Sequence, residues 1–212
     1  RCLTMSLDNE GADMMSKFRF LKAVGLLAAT AALSACVSFG GAEPPPSLLS
    51  LSPDQKLAAG AMRSGPQTGS LVVALPAAPQ KLNTIRVPVQ TTGTGIAYLK
   101  DAVWVDKPAR LFQDLLSETI AAKNNRLVLT ATEAGGNAQT YITGELVDFG
   151  LHGPSLTVTV TYDAVKMVTD KPVEKKRFQA SEKVFAAEPL PVGEGLNKAA
   201  NTVAAEVAAW VG

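Results

Sequence analysis

The sequence predicts an α+β domain of two layers, a mixed, mostly antiparallel sheet with two amphipathic helices on one face. Three observations predict it. Leu156, Val158, Val160, Tyr162 and Ala164 alternate with Thr157, Thr159, Thr161 and Asp163, the period of a strand buried on one side only. Leu111, Phe112, Leu115, Leu116 and Ile120 recur at helical spacing, and so do Leu196, Ala199, Ala200, Val203, Ala204, Val207, Trp210 and Val211. The segments run strands, helix, strand, meander, helix, which leaves two apolar helix stripes for one sheet face to cover.

Each element follows from its residues. Leu48 to Ser52 is a short apolar run that suits a first strand, and Pro53 to Gly69 is polar and glycine-containing, a loop with room for one helical turn. Leu71 to Leu75 is an apolar run of strand length ended by Pro76. Thr84 to Val89 and Ile96 to Val105 read as a hairpin around Thr91-Thr92-Gly93-Thr94-Gly95, with Pro88 favouring a sheet edge for the first strand. Pro108 opens a helix to Asn124, with Asp106 placed to cap its start and Asn124-Asn125 to end it in a left-handed turn. Arg126 to Thr132, Thr140 to Leu151, Ser155 to Met167 and Lys176 to Ala186 are expected strands, the last three forming an antiparallel meander. A helix from Pro191 to Val211 closes the chain, its alanines allowing close packing on the sheet.

The N-terminal part has a different logic. Lys17, Arg19 and Lys22 precede an apolar run from Ala23 to Ala32, and Leu33-Ser34-Ala35-Cys36 follows. A basic start, an apolar middle and small residues at a cleavage point make a secretory signal. A cysteine directly after them makes it a lipobox: its thiol takes a diacylglyceryl group, a peptidase cuts before it past small Ser34 and Ala35, and its freed amine is acylated. The apolar stretch is marginal for a membrane span, which needs about 20 residues. It runs into Gly40, Gly41 and Pro44-Pro45-Pro46 with no charged stop. Residues 1–14 are expected to be an upstream leader, with Met14 or Met15 as the native start. Residues 15–35 are then the signal peptide, 36–47 the lipidated cysteine and a stiff Gly/Pro linker, and 48–212 a single domain. Val37 rather than aspartate follows the cysteine, which predicts sorting to the outer membrane, periplasmic face.

From Val37 onward sixteen basic residues face sixteen acidic ones, which argues against nucleic-acid binding and against polybasic attachment to anionic lipid. The cysteines are Cys2 and Cys36, so the domain has no disulfide and relies on its core. Catalytic chemistry is not expected. His152, the sole histidine, sits in a turn before Gly153-Pro154; no His/Cys/Glu cluster is spaced for a metal; and no Gly-x-Ser-x-Gly elbow occurs. Gly193-Glu194-Gly195 lacks the full phosphate-loop spacing and reads as a helix start. Asp101 and Asp106 flank Trp104 as strand-end and cap residues. Tyr98 and Trp104 have even spacing on one expected strand and so should share a face, and Trp210 closes the last helix. Each of the three is either core packing or part of an apolar lip for acyl chains or a partner.

Several landmarks together carry a family likeness. Leu82-Asn83-Thr84-Ile85-Arg86-Val87, then Ile96-Ala97-Tyr98-Leu99, then Ala102-Val103-Trp104-Val105-Asp106-Lys107-Pro108 with Leu111 and Gln113, resemble ABC-type transport auxiliary lipoproteins. The helix from Ala200-Asn201 to Trp210 and the lipobox fit as well. The resemblance extends over most of the chain after Leu48. Its best-known branch is the paraquat-inducible-type lipoprotein that accompanies MCE (mammalian cell entry) lipid transporters. It implies a non-enzymatic outer-membrane component of an intermembrane lipid transport system that maintains envelope integrity. The implied partners are an MCE-domain protein and an ABC permease and ATPase, with phospholipid as cargo, a homo-oligomeric ring as assembly, and no cofactor beyond the lipid on Cys36. A regulatory or assembly lipoprotein for cell-wall or outer-membrane machinery is the alternative, since small α+β lipoproteins fill those roles too.

Overall fold

The computed structural model describes residues 48–212. The expected signal peptide, lipobox with Cys36 and proline linker lie outside the described residues. In chain order the elements are β1 (Leu71–Val73), β2 (Arg86–Gln90), β3 (Ile96–Val103), α1 (Pro108–Asn124), β4 (Val128–Leu129), α2 (Ala131–Ala134), β5 (Thr140–His152), β6 (Thr157–Val168), β7 (Glu174–Lys183) and α3 (Pro189–Val211).

All seven strands form one sheet, and β5 is its trunk. On one side β5 pairs with β6 over its whole length, from Thr140↔Val168 to His152↔Thr157, and β6 pairs with β7. This is the expected antiparallel meander. On the other side β5 is shared by two strands, both parallel to it. β1 takes its beginning (Leu71↔Thr140) and β2 its end (Gln90↔His152). β1 then carries β4 in parallel, and β2 carries β3 antiparallel, so the Pro88 strand lies inside the sheet and not at the edge expected for it. The sheet therefore forks, with a single bridge between Ala77 and Glu145 in the gap.

Both long helices cover one face, as expected. Phe112, Leu116 and Ile120 of α1 and Val192, Leu196, Ala200, Val203 and Val207 of α3 join Leu146, Phe149, Val158, Tyr162 and Phe178 of the sheet in one buried cluster. Phe112 meets Tyr162 edge-on at 5.1 Å, and Trp104 meets Phe149 at 5.5 Å. Gly193 and Gly195 explain themselves by packing. A Cβ at Gly193 would sit 2.7 Å from Leu49 Cδ2, and one at Gly195 2.9 Å from Val184 Cγ1. Residues 52–57 cross the outside of the helices as a strap held by side chains of α1 and α3.

The structure corrects several expectations. The strand placed at Leu48 to Ser52 is one bridge, Leu49 to Trp104. The strand placed at Arg126 to Thr132 stops at Leu129 because Thr130-Ala131-Thr132-Glu133 is a capping box: the Thr130 hydroxyl accepts the Glu133 N–H at 3.2 Å, and the Glu133 carboxylate accepts the Thr130 N–H at 2.8 Å. The resulting α2 lies on the face opposite the long helices, where Val72, Ala134 and Ala138 make a second small core with Leu129 and Tyr141. Asp106 does not cap α1; its carboxylate accepts the adjacent Lys107 N–H at 2.6 Å, and Lys107 occupies the cap position without a side-chain bond. Asn125 does end α1 in a left-handed conformation, φ +53°. Leu156 takes φ +48° in the turn before β6 and stands outside the alternation that begins at Val158.

Candidate functional site

The helix-free face of the sheet is the exposed one, and its chemistry is set by the outward half of each strand's alternation. Thr157, Thr159 and Thr161 of β6 lie beside Lys183, Ser181 and Gln179 of β7 and His152, Gly150 and Asp148 of β5. Pro88 and Gln90 of β2 and Tyr98 and Ile96 of β3 extend the same face, because residues paired across a ladder share a side. Gly150 lets β2 approach: a Cβ there would meet the Pro88 carbonyl oxygen at 2.6 Å. A cleft of about 330 Å³ opens here, lined by Lys81, Gln90, Asp148, His152, Thr159 and Gln179 among others.

Two ion pairs lie on this face. Lys81 Nζ donates to Asp148 at 2.9 Å. Arg177 grips Asp163 with two bonds, 2.6 and 2.8 Å, and these hold the Asp163 carboxyl below the usual carboxylate range. Thr159 and Ser181 share a hydrogen bond of 2.9 Å. Ser155 Oγ lies 2.8 Å from His152 Nδ1, a contact that closes the turn at Gly153–Ser155. Among the described residues no three His, Cys, Asp or Glu converge as a metal requires. The cleft offers hydroxyls, amides and neutralised charge, which suits hydrogen bonding to a polar surface. Tyr162, on the core side, donates to the Thr143 carbonyl at 2.8 Å, and burial pushes its phenol far up.

The three aromatics do not converge. Tyr98 is half-buried on the helix-free face, with the Arg86 guanidinium 4.5 Å over its ring. Trp104 is buried on the opposite, helix-covered side. Even spacing fails between them because Asp101 takes φ +57° and the β2–β3 register jumps, from Pro88↔Tyr98 to Arg86↔Val103. That bulge reverses the alternation, so Trp104 is core and not a contact residue. Trp210 is partly exposed at the end of α3, 5.6 Å from Phe178 and 4.6 Å from Lys166 Nζ. Cys36, Leu33, Ser34 and Ala35 lie outside the described residues. The cleft residues escaped sequence reasoning, although the threonine alternation in β6 already marked an outward polar row.

A second groove, about 550 Å³, runs between α1, the chain just after β1, and the segment from β4 into α2. There Gln113 donates to the Val73 carbonyl at 2.9 Å, filling the place β4 leaves when it turns away at Thr130. Among the described residues no helix is long and apolar enough to cross a membrane.

A family model described as ABC-type transport auxiliary lipoprotein component matches residues 50–208. No curated protein matches the chain. Two crystal structures share the fold. One, of an uncharacterized protein, superposes with TM-score 0.61 at 13% identity, over 78% of this chain and 100% of its own. The other is a Xanthomonas campestris protein of the family DUF330, with TM-score 0.58 and 17% identity, over 78% of this chain and 91% of its own.

Proposed function

The chain belongs to the ABC-type transport auxiliary lipoprotein component family, and from that we propose that it is the outer-membrane-anchored docking subunit of an MCE-type system that moves lipid between envelope membranes. The observation that carries the reading is the family match across nearly the whole domain, joined to the lipobox at Leu33-Ser34-Ala35-Cys36. The proposed anchor is the diacylglyceryl and N-acyl lipid on Cys36, and the proposed partner is an MCE-domain protein reaching from the inner membrane with its permease and ATPase. The subunit docks and does not turn over substrate. Its helix-free face supports this role: it is polar, it carries two internal ion pairs, and Tyr98 with Arg86 stands at its β3 side.

Crosslinking in native membranes tests the proposal. Capture of an MCE-domain protein, lost with Tyr98→Ala in a folded variant, is the expected result. Capture of cell-wall synthases alone would overturn it in favour of an envelope regulator. Fatty-acid labelling tests the anchor separately: wild type takes up label and Cys36→Ser does not. Density-gradient separation of the membranes tests the location, and recovery only with the inner membrane would overturn that part.

A further inference from the structure

We propose that the corner of the domain nearest its anchor rests on the lipid leaflet, with Leu48, Ile85 and Val105 as the side chains that enter it. The inference rests on lipidation of Cys36. Three large apolar residues are open at this corner: Leu48 at 57%, Ile85 at 43% and Val105 at 50% exposure. Backbone hydrogen bonds hold them together. Leu49 N–H donates to the Val103 carbonyl at 2.8 Å, Val105 N–H to Leu49 at 2.9 Å, and Trp104 N–H to Ile85 at 2.8 Å. The chain neighbours of Leu48 and Val105 point the other way. Trp104 is 1% exposed in the core, and Leu49 packs against the bare backbone of Gly193. The corner is thus an apolar projection on a rigid base.

The chain length selects the occupant. Leu48 is where the domain continues back toward Cys36, and only residues 36–47 intervene. Twelve residues reach at most about 40 Å when fully extended. A lipid-anchored domain on so short a tether meets its own leaflet at high effective concentration, so a small apolar contact is enough to orient it. Leu190, also exposed, lies one helical turn before Gly193, close to the same corner. Val173 is equally bare but sits in the β6–β7 turn, at the opposite edge of the sheet, and serves as the control.

The test uses the full, lipidated protein in vesicles of phosphatidylethanolamine and phosphatidylglycerol containing doxyl-labelled phosphatidylcholine as quencher. The domain has no cysteine of its own after Cys36, so a thiol-reactive fluorophore can be placed by Val105→Cys or Val173→Cys. The Val105 reporter should lose most of its emission, the Val173 reporter should keep it, and Leu48→Ser with Ile85→Ser should restore the lost signal. If Val105→Cys does not fold, Lys107→Cys carries the reporter two residues along. Equal quenching at both sites, or none at Val105 in protein that floats with the vesicles, overturns the proposal and leaves the anchor standing. Protein that neither takes up fatty acid nor floats overturns the anchor and the proposal together.

Discussion

Asn201 holds Asp54 in place: its side-chain carbonyl accepts the Asp54 N–H at 2.8 Å, while its amide donates to the Ser52 carbonyl at 2.9 Å. A buried carboxamide on α3 thereby satisfies a donor and an acceptor of a segment that lies in no sheet. Asn197, one turn earlier, accepts the Ser52 N–H at 2.8 Å, and Glu118 on α1 accepts the Leu57 N–H at 2.7 Å. The strap is fixed by side chains in place of secondary structure.

Asn201→Ala should therefore cost about 1–3 kcal/mol, because it removes two hydrogen bonds made from a buried carboxamide. Thr202→Ala is the control. Its hydroxyl is exposed and bonds only back to the Lys198 carbonyl, so its effect should stay within about 0.5 kcal/mol. Denaturant unfolding measures both, and equal stabilities for the two variants would show that the strap adds nothing.

Leu116 is fully buried on α1, in the main core. Truncation to alanine should cost about 2–5 kcal/mol. A loss below roughly 0.5 kcal/mol in the unfolding midpoint analysis would mean that α1 does not pack as described.

Gly144 and Gly136 both have positive φ, +146° and +80°, but differ in surroundings. A Cβ at Gly144 would collide with the Asp163 backbone carbonyl on β6, while one at Gly136 meets nothing. Gly136→Ala should cost only the backbone strain, about 1–2 kcal/mol. Gly144→Ala should cost clearly more, since neither strand can retreat without breaking the β5–β6 ladder. Comparison of the two thermal midpoints decides it, and equal midpoints would contradict the pairing.

Asp163 gives a pH signature. Arg177 lowers its carboxyl pKa in the folded protein, so the pair's contribution is complete above the unfolded value, about 4. It is lost as pH falls through the lower folded value. The stability gap between wild type and Asp163→Asn should be flat through neutral pH and close in acid. A gap that widened on acidification would reverse the assignment.

What the sequence made legible was periodic. The alternation from Val158 to Ala164 and the stripes from Phe112 to Ile120 and Leu196 to Val211 placed the meander and both long helices on the correct faces. Features set by single residues were harder to see. Asp101 turns left-handed inside β3 and moves Trp104 into the core, which no spacing rule announces. Thr130 to Glu133 carried a readable capping box, hidden by the β-branched residues around it. The fork at β5 depends on which distant segments pair, and local pattern does not encode that. The cleft on the helix-free face needed the strand order before its threonines, Lys81 and Asp148 could be brought together.

The Leu49 bridge has a mechanical consequence. Tension along residues 36–47 would enter the domain at Leu48 and meet the two backbone hydrogen bonds of Leu49 first. Only after those give way would the load pass to Asn197 and Asn201 through the strap. The β5–β7 meander, on the other side of the fork, would bear it last. The domain can thus yield stepwise at its Leu48 end while the sheet's largest ladder stays whole.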